Sequence, residues 1–514
     1  MSVYKSQLNF LYNTRRLLSH KEFNNMSSRL SLSNKELLLD SNLINGQWIR
    51  KADQFDVTDP ANGNVISTVS NGTAEDAEKA VAAAHAAFKS FKRTTPRERS
   101  GLLKKWAQLV RENIDDLSHL VTLENGKPLA EAKGEVLQSA LTFEWFSELC
   151  PHFGGVTIPS QDPTHRIHTL RQPAGVCGLI TPWNFPAAMI ARKVGAAVAA
   201  GCTTVLKPAK LTPLVALAML KLGLDAGIPN GVLNVVTSSD HAAEIGTVLA
   251  TDPRVSKISF TGSTAVGKIL AKQATGTMKK VSMELGGNAP FIVFDDADVK
   301  AAVQGAIASK FRGSGQTCVC ANRFYVQDGI YDAFVAEFKD AVNKQLKLGH
   351  GLDAGTTQGP LSSPSAMKKI EEHVEDALHT GGGKLIAGGK ARSDIGPLFY
   401  EPTIIADVDP NAKVFNEETF GPLAAIARFN SEEEVIKQAN NTEVGLASYF
   451  YTKDISRAHR VSEELESGMV GINTGIITEV SLPFGGIKES GYGRENSIFG
   501  LEDYTILKSV VTGI

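Results

Sequence analysis

The chain has 514 residues, too many for one simple core, so two or three domains are expected. Apolar residues make up 42% and charged residues 21%, an ordinary globular balance, and a net charge of −2 gives no general attraction to nucleic acid or an anionic membrane. No apolar run approaches the roughly 20 residues of a membrane span, so neither nucleic acid nor membrane is expected as a partner.

The first thirty-odd residues differ from the rest. Lys5, Arg15, Arg16, Lys21 and Arg29 face one acid, Glu22, among Ser, Asn and Leu. That composition suits a mitochondrial transit peptide, and hence the matrix, with a disordered extension on a cytoplasmic protein as the alternative. Residues 1–33 are therefore set outside the fold. Helical periodicity marks Ala74–Phe91 and 98–112. From residue 175, short apolar strands alternate with amphipathic helices. Strands are predicted at Val176–Ile180, 203–206, 232–236 and 257–260, with helices at 187–200, 214–224, 241–250 and 266–271. Strand–helix repeats of this size imply a parallel sheet covered on both faces, with ligands at the carboxyl ends of its strands. A second α/β series begins near Gly286, with strands at 291–294 and 324–326 and helices at 299–311, 331–344, 366–378 and 456–466.

Five cysteines (150, 177, 202, 318 and 320) make an odd count that argues against a disulfide framework and for a reducing compartment. The first three lie in apolar contexts and read as core. Histidines are scattered without ligand spacing, so no metal is expected. Cys318 is different. It follows the polar turn Gly313-Ser314-Gly315-Gln316, where an exposed thiol can be activated by nearby donors. Thirty-four residues earlier, Glu284 stands in an apolar strand, where burial raises a carboxyl pKa toward that of a neutral-pH base. Asn184 sits in Pro182-Trp183-Asn184-Phe185-Pro186, a turn stiffened by two prolines, with an amide able to donate to an oxyanion. Gly262-Ser263-Thr264-Ala265-Val266-Gly267-Lys268 matches the start of a phosphate-binding loop, yet Ile269 replaces the Ser or Thr that would hold magnesium. It follows a strand and opens a helix, so its amides can still meet a phosphate.

Taken together, these segments resemble the NAD(P)-dependent aldehyde dehydrogenase superfamily over about residues 42–514, and within it the succinate-semialdehyde enzymes. The resemblance implies a Rossmann-like coenzyme-binding domain from 42–150 and 174–286. It also implies an α/β catalytic domain from 287–484 and a small β oligomerisation arm from 151–173 and 485–514, pairing subunits into a homodimer or homotetramer. In this reading Cys318 is the nucleophile, Asn184 and the Cys318 N–H form the oxyanion hole, and Glu284 activates the hydrolytic water. Thr181, Trp183, Gly262 and Ser263 line the coenzyme, and Lys207 contacts the adenosine ribose. By position in Glu417-Glu418-Thr419-Phe420-Gly421-Pro422, Glu418 holds the nicotinamide ribose and Phe420 packs beside the ring. Lys210 stands where members that prefer NAD carry Glu, and its charge favours the 2′-phosphate of NADP over NAD.

Two residues carry the substrate expectation. Arg192 and Arg312 replace side chains that are apolar or aromatic in relatives acting on apolar aldehydes, and two guanidiniums suit a distal carboxylate. Thr478 stands where the succinate-semialdehyde enzymes have Ser. The implied reaction is succinate semialdehyde to succinate, as in 4-aminobutyrate breakdown, with glutarate semialdehyde as the nearest rival and a catalytically silent relative as a remote one. The chain departs from the family at Gly313, where the motif has Asn; a looser loop is the expectation. Cys320, two residues beyond the nucleophile, is a candidate for an inactivating disulfide with it.

Overall fold

The computed structural model describes residues 30–514; the segment read as a transit peptide lies, up to residue 29, outside the described residues. Two sheets organise the rest. The first has eight strands, in the order Gln47–Ile49, Asn42–Ile44, Leu233–Val235, Thr203–Lys207, Val176–Ile180, Val255–Thr261, Lys280–Glu284, Gly491–Tyr492. Its five central strands run parallel, as the alternation of strand and helix requires. Val176–Ile180 and Thr203–Lys207 are buried along their whole length, and the first accordingly reads as an unbroken apolar run. The second sheet has seven strands, from Lys384–Ala387 at one edge to Met469–Ile472 at the other, all parallel except that first edge strand.

Helices cover both sheets. Pro96–Glu112 and Leu129–Leu149 pack together on the first, with Trp106 stacked on Phe143 at 4.1 Å and its indole N–H donating to the Met219 carbonyl at 3.0 Å. Trp106 is fully buried, so its truncation to alanine removes about 3–5 kcal/mol of stability. The predicted helix over 187–200 is interrupted. It runs as Pro186–Ile190, then one wide π turn at Ala191–Gly195, then Ala196–Ala200. Arg192 and Lys193 both lie in that turn.

A third, three-stranded sheet joins Thr157–Ile158, His165–Pro173 and Thr505–Gly513. It keeps Leu170, Leu507 and Val511 exposed. Of the 485–514 segment, Thr505–Gly513 pairs here, whereas Gly491–Tyr492 pairs beside Met283 and Glu284 in the first sheet. No helix among the described residues is long and apolar enough to cross a membrane.

Candidate active site

The carboxyl ends of four neighbouring strands deliver the candidate coenzyme residues. Val176–Ile180 leads into Thr181 and Trp183, Thr203–Lys207 ends on Lys207, Val255–Thr261 leads into Gly262 and Ser263, and Lys280–Glu284 ends on Glu284. Lys207 is buried, and no carboxylate pairs with it among the described residues. Burial, and then the charge of exposed Lys210, lower its pKa to about 8. Two lysines that repel one another at a strand end suit a ligand with an extra phosphate. The hydroxyl of Thr261, buried at the next strand end, is without a hydrogen-bond partner. Ser263 opens the helix Thr264–Ala274. Lys268, which completed the phosphate-loop match, pairs instead with Glu489 at 2.6 Å.

Across this cleft, Glu418 accepts from the Gly287 N–H at 3.2 Å, and burial pushes its pKa up to about 7. Phe420 meets Trp183 edge-to-face, with centroids 5.7 Å apart. The first sheet thus supplies one wall of the candidate nicotinamide site and the second sheet the other. Buried, unpaired cationic and hydroxyl groups on one side and an acid beside two aromatics on the other fit a phosphorylated dinucleotide.

Cys318 follows the helix Val299–Lys310 and a tight turn at Arg312–Gly315. Gly313, Ser314 and Gly315 have φ of 58°, 55° and 74°, a left-handed path that glycine and asparagine tolerate best. Glycine at 313 therefore meets the same backbone demand as the family's Asn. The expected loosening is not what the contacts give. The Gly313 N–H donates to Glu131 Oε2 (2.8 Å), Ser314 Oγ donates to the Gly359 carbonyl (2.9 Å), and the Ser362 N–H donates to Gln316 Oε1 (2.9 Å). A Cβ on Gly315 would lie 2.2 Å from the Gly421 carbonyl oxygen, so only glycine lets the thiol loop close on the Glu418–Phe420 segment.

Asn184 reaches the same loop from the first sheet: its Nδ2 donates to the carbonyl of Gln316, two residues before Cys318, at 3.0 Å. The Pro-Trp-Asn-Phe-Pro turn is braced from below. Lys127 donates to the Asn184 carbonyl (2.7 Å) and pairs with Glu135 (2.6 Å), whose other oxygen accepts from the N–H groups of Ala187 and Ala188. The Cys318 thiol is pushed up to about 12, by burial first, then by Glu418, against the opposing pull of Arg192. It rests as a thiol and needs added positive charge to ionise.

Glu284 is 3% exposed, and neither carboxylate oxygen has a hydrogen-bond partner. Burial, and then the charge of Glu495, hold its pKa well above the ordinary range. Glu495 accepts from Lys193 Nζ at 2.6 Å, and that ammonium also donates to Ser259 Oγ at 2.8 Å. Two buried acids and a buried lysine therefore share one charge balance. Sequence reading missed Lys127, Glu131, Glu135, Lys193 and Glu495. Only Lys193, inside the apolar stretch 186–200, carried a signal, since a charge there is costly unless paired or used; Lys127 and Glu495 lie outside helices, and Glu131 and Glu135 lie in a helix of mixed polarity.

A cavity of about 290 Å³ leads from solvent to Cys318. Arg192, Arg312, Thr478, Phe185, Phe484 and Glu131 line it. The Arg192 guanidinium lies 4.3 Å from the Phe484 ring centre and 4.0 Å from Glu495, and its Nη1 is buried without a hydrogen-bond partner. Arg312 donates to Thr478 Oγ1 at 3.5 Å and sits over Phe185. The structure thus brings Cys318 and the three candidate substrate residues to one tunnel, while Asn184 is bonded to the Gln316 carbonyl of the thiol loop. Cys320 is outside the tunnel. That thiol is 7% exposed and donates to the Lys310 carbonyl at 3.3 Å, away from the cavity.

The aldehyde dehydrogenase family profile matches residues 48–510. The chain belongs to the aldehyde dehydrogenase family. It is 52% identical to the succinate-semialdehyde dehydrogenase [NADP(+)] GabD of Escherichia coli, over 94% of this chain and 100% of that one. It is 51% identical to a glutarate-semialdehyde dehydrogenase of Pseudomonas aeruginosa, over 94% and 100%. The crystal structure of succinate-semialdehyde dehydrogenase from Burkholderia pseudomallei superposes with a TM-score of 0.92 at 50% identity, covering 94% of this chain and 100% of that one. Among aldehyde dehydrogenases, this one combines a thiol at the base of its tunnel with two guanidiniums along the wall.

Proposed function

We propose that this aldehyde dehydrogenase oxidises succinate semialdehyde to succinate, with NADP+ preferred and NAD+ accepted. The observation that carries the proposal is the pair Arg192 and Arg312 above Cys318, with an orphaned Nη1 on Arg192 and the Thr478 hydroxyl beside Arg312. A buried guanidinium nitrogen without a hydrogen bond is costly, and a substrate carboxylate satisfies it. Relatives that carry the succinate-semialdehyde name, and the NADP(+) in one of them, support the same reading.

The chemistry follows from the positions. The Cys318 sulfur adds to the aldehyde carbon, its proton passes to water in the tunnel, and the carbonyl oxygen becomes an alkoxide held by the Asn184 amide and the Cys318 N–H. NADP+ held by Lys207, Lys210 and Glu418 would supply the acceptor for the hydride released as the carbon becomes a thioester. Glu284 then takes a proton from water, whose oxygen attacks the thioester carbon; the acid leaves and Cys318 recovers its thiol. Arg192 and Arg312 fix the far carboxylate so that the aldehyde carbon lies over the sulfur.

Glutarate semialdehyde is the second reading, favoured by the relative from Pseudomonas aeruginosa, and one methylene gives only about 1–3 kcal/mol of discrimination. The reaction serves 4-aminobutyrate degradation. The two large sheets act as coenzyme and catalytic domains. The three-stranded sheet, with its exposed Leu170, Leu507 and Val511, pairs subunits into a homodimer or homotetramer. The basic N-terminal segment directs the chain to the mitochondrial matrix. Steady-state kinetics on succinate semialdehyde, glutarate semialdehyde and an uncharged aldehyde, each with NADP+ and NAD+, tests the core of this. A preference for the uncharged aldehyde would overturn the substrate assignment.

A further inference from the structure

The tunnel holds one acid that the reaction scheme leaves without a task. Of its two glutamates, Glu135 is accounted for by Lys127 and two helix N–H groups. Glu131, on the first turn of Leu129–Leu149, is not. Its Oε2 accepts from the N–H of Gly313, the residue that follows Arg312 and begins the left-handed turn toward Cys318. Its carboxylate lines the cavity together with Arg192 and Arg312. Burial raises its pKa, opposed by Lys127, by the Gly313 N–H and by Arg312, so Arg312 is one of the groups that favour the charged form of Glu131.

We propose that Glu131 sets the strength of the distal-anion site: its carboxylate anchors the Arg312–Cys318 turn through the Gly313 N–H and offsets the Arg312 charge. An entering substrate carboxylate therefore meets a guanidinium already partly neutralised, with a like charge beside it. This weakens binding of the semialdehyde. It weakens still more the hold on the product, which carries a second carboxylate where the aldehyde was. Glu131 is thus a positioning residue for the nucleophile loop and a specificity residue for charge.

The proposal rests on the distal-carboxylate reading above, and Glu131→Gln and Glu131→Ala separate the two. The glutamine variant keeps an oxygen for the Gly313 N–H and loses the charge. It should lower KM for succinate semialdehyde, and the inhibition constant of succinate, by about fivefold, with KM for an uncharged aldehyde unmoved. The alanine variant loses the anchor, and its kcat should fall by about tenfold on charged and uncharged aldehydes alike, with glutamine restoring it. Melting temperatures confirm that both variants fold. Unchanged or raised KM and product-inhibition constants in Glu131→Gln would overturn the charge role. Equal kcat in the two variants would overturn the anchoring role. If the wild-type enzyme shows no preference for a carboxylated aldehyde, the substrate reading fails by itself, and the alanine–glutamine difference in kcat on the uncharged aldehyde still tests the anchor.

Discussion

Replacing Arg312 with methionine keeps the length of the side chain and removes its charge. Arg312 lies over the Phe185 ring and reaches Thr478 Oγ1 at 3.5 Å, so methionine retains the packing, leaves a hydroxyl unpaired and takes a cation away from Glu131. What is lost is a charge-assisted interaction with the substrate carboxylate in a cavity of about 290 Å³. Hydrogen bonds to charged groups contribute about 1.5–3 kcal/mol, and the upper value applies where solvent is largely excluded. A loss of about 3 kcal/mol corresponds to roughly 150-fold in kcat/KM. It should appear chiefly in KM, because the far carboxylate is bound before and during the chemical step alike. Arg192→Met should behave differently. Arg192 also favours the charged forms of Cys318 and Glu284, so its loss should depress kcat as well. The assay is steady-state kinetics of both variants on succinate semialdehyde and an uncharged aldehyde. If Arg312→Met loses as much on the uncharged aldehyde as on the semialdehyde, Arg312 shapes the loop instead of binding substrate, and the reasoning fails.

Three further outcomes are expected. Glu284→Gln should release a pre-steady-state burst of NADPH and then turn over about 10²–10⁴-fold more slowly, as the thioester accumulates on Cys318; loss of the burst itself would place Glu284 before hydride transfer. Lys207 has its pKa lowered to about 8, so it is cationic below that pH and neutral above it. KM for NADP+ should therefore climb as pH rises through 8, with KM for NAD+ much flatter, and parallel pH profiles for the two coenzymes would refute a phosphate role. Peroxide should inactivate the wild-type enzyme slowly, since the Cys320 thiol must leave its bond to the Lys310 carbonyl to reach Cys318, and dithiothreitol should restore activity. Equal inactivation of Cys320→Ala would remove the disulfide switch from the picture.

Much of the first sheet was legible because its central strands are buried on both faces and leave unbroken apolar runs, as in Val176–Ile180. Cys318, Glu284 and Asn184 were legible because each sits in a short segment rich in Gly or Pro that has few backbone solutions. Other parts had no comparable signal. Leu129–Leu149 buries Ser139, Thr142 and Ser147 beside its apolar residues, each hydroxyl donating to a carbonyl one turn back, so its pattern has no clean apolar face. The pairing of Lys193 with Glu495 joins residues 302 apart, and no local pattern can announce it. Gly491–Tyr492, the strand beside Glu284, is two residues long and carries no period at all. The π turn at Ala191–Gly195 lies inside an alanine-rich apolar stretch where one register looks like another.

That π turn has a consequence for anyone who would retarget the enzyme. An α-helix turns about 100° per residue, and the widened turn sends two successive cations to separate duties, Arg192 to the tunnel and Lys193 to Glu495. The lining of the tunnel and the charge balance around Glu284 thus hang on adjacent links of one backbone distortion. A library that varies position 192 for new aldehydes will also sample new positions of the Lys193 ammonium, and variants chosen for binding will arrive with altered thioester lifetimes.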